Sequence, residues 1–156
     1  MEDNGKIRVG ITHGDINGVG YEVILKSFSD PAMLELCTPI VYGSPKVATY
    51  HRKAMDVQTS FTIINNVDDA QDGKLNILNC TEDELKVELT KATPEAGKAA
   101  LDALEKALQD YREGGIDVLV TAPINKHTIQ SDAFHFPGHT EYIEERVGNN
   151  RKALMI

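Results

Sequence analysis

Three short stretches hold the residues whose types and spacing could do chemistry. The first is Thr12-His13-Gly14-Asp15-Ile16-Asn17-Gly18-Val19-Gly20-Tyr21-Glu22. Its glycines let backbone N–H groups approach a ligand, and a helix starting behind them favours an anion. Asp15, Gly18 and Gly20 are the candidate ligand residues, although a plain strand-to-helix turn explains the same composition. The stretch is neither a dinucleotide fingerprint nor a Walker loop, because Gly18 and Gly20 lack the fingerprint's third glycine and no Gly-Lys-Ser/Thr occurs. The second, Thr121-Ala122-Pro123-Ile124-Asn125-Lys126-His127, offers Lys126 to a phosphate or carboxylate, or as an acid in a closed site. A solvated lysine at the start of a helix accounts for it equally well. The third, Phe136-Pro137-Gly138-His139-Thr140-Glu141, sets His139 between a Pro-Gly turn and a helix over 141–147. Its ring can trade hydrogen bonds with a substrate hydroxyl and titrates near neutral pH. Thr140 serves as a helix cap as readily as a ligand contact. His13, His51, His127 and His135 show no metal-ligand spacing with His139.

The elements that must position these stretches alternate between strand and helix signals. Ile7 to Thr12 is a β-branched run ending in the glycine loop, and Tyr21 to Phe28 carries apolar residues at Val23, Ile24 and Phe28, a helical spacing. Asp30-Pro31 and Ser44-Pro45 each pair a cap with a proline at the first helical position. Between them Pro39 to Tyr42 reads as a strand stopped by Gly43. Strand-like runs follow at Phe61 to Ile64, Leu75 to Leu78 and Val87 to Leu89. The strongest helix runs from Pro94 to Glu113, capped by Thr93 and ended by Gly114-Gly115, with its stripe at Ala100, Leu101, Leu104, Leu108 and Tyr111. Ile116 to Thr121 reads as a buried strand. The pattern predicts an α/β fold, a mainly parallel sheet with helices on both faces. Residues 1–128 make a first lobe and 129–156 begin a second. The apolar close, Lys152 to Ile156, reads as the opening of a strand and suggests a chain cut from a longer one.

The 16 Lys and Arg against 24 Asp and Glu give a net charge of −8. That balance and an aromatic content of 6% without tryptophan argue against a nucleic-acid surface. No apolar run approaches the roughly 20 residues that span a bilayer, and the polar N-terminus is not a signal peptide. Cys37 and Cys80 make neither a disulfide framework nor a metal knuckle. The expectation is a soluble cytoplasmic protein.

Each of the three stretches is a weak signal alone; their order is specific. Gly-Asp-x-x-Gly-x-Gly-x-Glu after the first strand, Thr-Ala-Pro-x-x-Lys after a later one, and Phe-Pro-Gly-His-Thr-Glu beyond it together resemble the 4-hydroxythreonine-4-phosphate dehydrogenases of bacterial vitamin B6 synthesis. The resemblance implies two α/β lobes related to isocitrate and isopropylmalate dehydrogenases, a longer chain than this one, and a homodimer. It implies oxidation of the 3-hydroxyl of 4-phosphohydroxy-L-threonine by NAD or NADP, then decarboxylation to an amino-ketone phosphate. A divalent metal (zinc, magnesium or cobalt) would polarise the reacting oxygens. By the same resemblance His139 and Thr140 contact substrate, whereas the metal-binding histidines belong to motifs absent from this chain. The first loop departs from the family's usual Gly-Asp-Pro-Ala-Gly-Ile-Gly-Pro-Glu at Ile16, Asn17 and Tyr21, and without both prolines it is expected to be less rigid. The rival readings are a dehydrogenase for 4-phospho-D-threonate or the erythronate, a phosphotransacetylase-like acyltransferase, and a non-catalytic phosphate-binding module.

Overall fold

The computed structural model describes residues 5–81 and 84–154. Five strands form one parallel sheet: β1 (Ile7–Thr12), β2 (Cys37–Gly43), β3 (Thr62–Ile64), β4 (Asn76–Asn79) and β5 (Val118–Thr121), in the order β3-β4-β2-β1-β5. Helices α1 (Gly20–Ser27), α2 (Pro31–Leu36), α3 (Pro45–Ala54), α4 (Pro94–Arg112) and α5 (His139–Val147) follow the expected alternation. Three of them begin on a cap followed by proline. Asp30 Oδ1 accepts from Ala32 N at 3.0 Å, Ser44 Oγ from Val47 N at 3.2 Å, and Thr93 Oγ1 from Ala96 N at 3.2 Å.

The two faces of the sheet bury different partners. Ile11, Val41 and Ile77 pack against Tyr21, Ile24 and Leu25 of α1 and Val47 and Ala48 of α3. Ile40, Tyr42, Leu78 and Ile116 pack against Ala103 and Ala107 of α4 on the other. Small residues there let α4 lie close to the strands. The outer side of α4 then buries Ile129, Phe134 and Tyr142 against Leu101, Leu104 and Leu108. No helix of the described residues is long and apolar enough to cross a membrane.

Four local expectations differ from the structure. Residues 87–89 form no strand, because the backbone N–H groups of Glu88 and Thr90 bond to Asn17 rather than to the sheet. The final strand is an edge, not a buried strand. Val118 and Val120 are 44% and 47% exposed, because nothing described covers that side, while Ile116 is buried by α4 on the other. Val23 on α1 and Tyr111 on α4 face solvent, outside the buried stripes of those helices. Residues 151–154 are exposed and irregular, with Ala153 N donating to Glu144 Oε2 at 3.0 Å beside α5; residues 155 and 156 lie outside the described residues.

Candidate active site

The loops after β1 and β5 leave the carboxyl edge of the sheet side by side, where doubly wound folds place ligands. Gly14 adopts φ +67°, a left-handed conformation, and a Cβ there would strike the Pro123 carbonyl. Asp15 N donates to that same carbonyl at 2.9 Å, so the two loops are stitched together. Gly20 is needed for close approach, since a Cβ would strike the His13 carbonyl. Gly18 is not, for its Cβ would make only ordinary contact at 3.5 Å.

Asn17 and Tyr21 stand where prolines or alanine are usual, and they hold the loop by side-chain hydrogen bonds. Asn17 Nδ2 donates to Lys91 O at 3.0 Å, its Oδ1 accepts from Glu88 N at 2.7 Å, and its carbonyl accepts from Thr90 N at 3.0 Å. Asp15 Oδ1 accepts from Asn17 N at 3.0 Å, which occupies one carboxylate oxygen in the turn itself. His51 Nε2 lies 2.7 Å from the Ile16 carbonyl, and its ring stacks on Tyr21 at 5.5 Å. His13 is wholly buried between Tyr21 and the Ala99 carbonyl, and burial above all depresses its pKa to about 4. The expected loss of rigidity is therefore met by contacts from four distant segments.

Lys126 does not start a helix. Asn125 Oδ1 accepts from His127 N at 3.0 Å and Thr128 N at 3.2 Å, closing a turn that leaves Lys126 exposed. Gly97 on α4 makes room for this turn, because a Cβ there would strike the Thr128 carbonyl. Lys126 Cε lies 3.7 Å from where a Cβ on Gly138 would sit, so its stem borders the start of α5.

The cap of α5 is Gly138, not Thr140, and it makes no side-chain cap hydrogen bond. His139 occupies the first turn, half-buried, with Nε2 sealed from solvent and without a hydrogen-bond partner. Burial lowers its pKa, and the nearby Lys126 charge lowers it further. The ring is therefore neutral at pH 7, with a buried nitrogen whose hydrogen-bonding capacity is unmet. Thr140 is half-buried beside it and lines a surface cavity of about 640 Å³ with Tyr111, Ile143 and Glu144. Thr12 Oγ1, at the carboxyl end of β1, is also buried without a partner.

The structure thus brings Lys126 to the His139 segment and ties Asp15 to it through Pro123. Gly18 stays within its own turn. The His13–Tyr21–His51 cluster escaped sequence reasoning, since its members meet only when α1 and α3 pack. A second cleft of about 330 Å³, lined by Thr81, Lys86, Lys98 and Asp102 among others, was equally hidden by its scattered residues. Among the described residues no three His, Cys, Asp or Glu side chains converge to hold a metal ion. Burial pushes the Cys80 thiol up to about 12, so it is no nucleophile.

Residues 35–156 match the family model described as pyridoxal phosphate biosynthetic protein PdxA. The chain belongs to the PdxA family. The match begins after the glycine loop. Over all 156 residues the chain is 72% identical to a 4-hydroxythreonine-4-phosphate dehydrogenase of Bacteroides thetaiotaomicron, covering 43% of that protein. Over 151 residues it is 33% identical to an Oceanobacillus iheyensis protein named as a D-threonate 4-phosphate dehydrogenase, covering 95% of this chain and 46% of the relative. A crystal structure of a 4-hydroxythreonine-4-phosphate dehydrogenase from Burkholderia phymatum superimposes with a TM-score of 0.82 at 28% identity, over 93% of this chain and 44% of that one. The chain therefore spans under half the length of the PdxA-family relatives it matches.

Proposed function

We propose that this chain supplies the amino-terminal part of an NAD(P)-dependent 4-hydroxythreonine-4-phosphate dehydrogenase, a cytoplasmic homodimer. The observation that carries it is the 72% identity to the Bacteroides enzyme, against 33% to the D-threonate 4-phosphate relative. Residues 1–128 form its first lobe, and the chain from Ile129 leads into the second.

The chain's own share of the work is substrate binding. The neutral His139 ring presents buried Nε2 to a substrate hydroxyl, and a hydrogen bond there removes the cost of the unpaired nitrogen. The charge of Lys126, beside the start of α5, suits the carboxylate or phosphate of the same molecule. Thr140 adds a hydroxyl from the next position. Asp15 and Gly20 set the loop that braces Pro123, and Gly18 completes its turn. By the family resemblance, the nicotinamide and the divalent metal are held mainly by the remainder of the enzyme.

The test is NAD(P) reduction by the full-length enzyme with 4-hydroxy-L-threonine 4-phosphate and with D-threonate 4-phosphate. A higher kcat/KM for the first is expected. Turnover of the second alone would replace this reading with the alternative.

A further inference from the structure

We infer that Tyr21 is a positioning residue for the substrate site, acting through His13; its kinetic consequence rests on the function proposed above. Hydrogen-bond chemistry fixes the direction of the relay. The Ala99 carbonyl can only accept, so His13 Nε2, 3.0 Å away, carries a hydrogen. A neutral ring then has a bare Nδ1, which takes the hydrogen of the Tyr21 hydroxyl at 2.9 Å. That hydroxyl has one hydrogen, so the Ser44 carbonyl at 3.3 Å receives none. The Tyr21 oxygen instead accepts from Ser44 N at 2.9 Å. The opposite tautomer would set the bare Nε2 against the Ala99 carbonyl, lone pair to lone pair.

The result is one directed chain, Ser44 N–H to Tyr21 O–H to His13 Nδ1, and His13 Nε2–H to Ala99 O. It joins the end of β2, helix α1, the loop after β1 and helix α4, and every member is buried. Gly43 is shaped for it: a Cβ there would strike the Tyr21 hydroxyl and lie 2.6 Å from His13 Nδ1. Filling the core does not require the hydroxyl, since the Tyr21 ring already packs on His51. The hydroxyl bonds only to groups just beyond β1 and β2, at the carboxyl edge.

From His13 the coupling runs through the next two residues. Gly14 and Asp15 hold the Pro123 carbonyl, two residues before the Asn125 turn that presents Lys126 to the start of α5. The Tyr21 hydroxyl thereby helps set the position of the turn that brings Lys126 to the start of α5.

The test combines spectra of the protein with kinetics of the active enzyme. Nitrogen-15 spectra should show His13 protonated at Nε2 and hydrogen-bonded at bare Nδ1. Tyr21→Phe should keep the fold by circular dichroism yet shift the amide resonances of Asp15, Asn125 and Lys126, leaving the last turns of α4 unmoved. In the active enzyme Tyr21→Phe should lower kcat/KM about tenfold, mainly through KM, as expected of a misplaced binding group. His13→Gln should do the same, and the double variant no worse than the poorer single one. A protonated Nδ1, unmoved Asp15 and Lys126 amides, or additive losses would overturn the inference. Should the parent turn over neither substrate, the proposed function fails while the spectra still decide this relay.

Discussion

The loop after β1 and the start of α5 face the same edge of the molecule and have opposite hydrogen-bond states. In the first, His13, Asn17, Tyr21 and His51 are buried with their polar atoms engaged on Ala99, Lys91, Ser44 and Ile16. In the second, His139 Nε2 is buried with nothing to bond, beside a helix whose first turn has no side-chain cap. Buried polar groups nearly always find partners. Among the described residues Thr12 Oγ1 at the end of β1 and His139 Nε2 lack one, and on the proposed function the second receives its partner from the substrate. On that same proposal, the satisfied region is framework and the unsatisfied one is the substrate site. Two histidines of the same chain, both held neutral by burial, thus have different roles because of their neighbours.

The largest expected effect lies on the unsatisfied side. His139→Ala should lower kcat/KM by about two orders of magnitude, ~3 kcal/mol of transition-state stabilisation, with the thermal midpoint little changed. Near-wild-type kinetics would erase the distinction between the regions. On the framework side, Asn17→Ala should instead cost about 2 kcal/mol in urea unfolding, because the Glu88 N–H and Lys91 carbonyl lose their partner.

A pH series sharpens the comparison further. His13 titrates near 6.5 unfolded and near 4 folded, so between those values the unfolded chain binds the extra proton. Stability should therefore fall as pH drops through that window, with His13 contributing a slope approaching about 1.4 kcal/mol per pH unit. Burial remains the largest cause, while the Ala99 hydrogen bond and Asp102 act to raise the pKa and His51 to lower it. In urea unfolding from pH 7 to 4.5, His13→Gln should show a shallower decline than the parent. The smallest effect belongs to Lys126→Gln. Removing that charge should raise the His139 pKa in an NMR titration without restoring its ordinary value, since burial is the larger cause.

What the sequence made legible was local. Ile7–Thr12 is strand β1 as its β-branched run implies, and Asp30-Pro31, Ser44-Pro45 and Thr93-Pro94 mark three helix starts. The three motifs also carried the family. What stayed hidden depends on partners far along the chain. Val87 to Leu89 has strand composition, but its neighbours' amides are taken by Asn17, about 70 residues earlier. Val118 and Val120 look like core until the absence of a covering helix among the described residues leaves them half in water. Tyr21 reads from the sequence only as a departure from the family's loop; its hydroxyl gains meaning only beside His13 and Ser44.

The most direct measurement is the nitrogen-15 spectrum of the histidine rings in the active enzyme as 4-hydroxy-L-threonine 4-phosphate is added. The His139 Nε2 resonance should move to a hydrogen-bonded position and saturate with the ligand, while the His13 and His51 resonances stay in place. A stationary His139 with shifts at His13 or His51 would put the ligand in the framework loop and contradict the account.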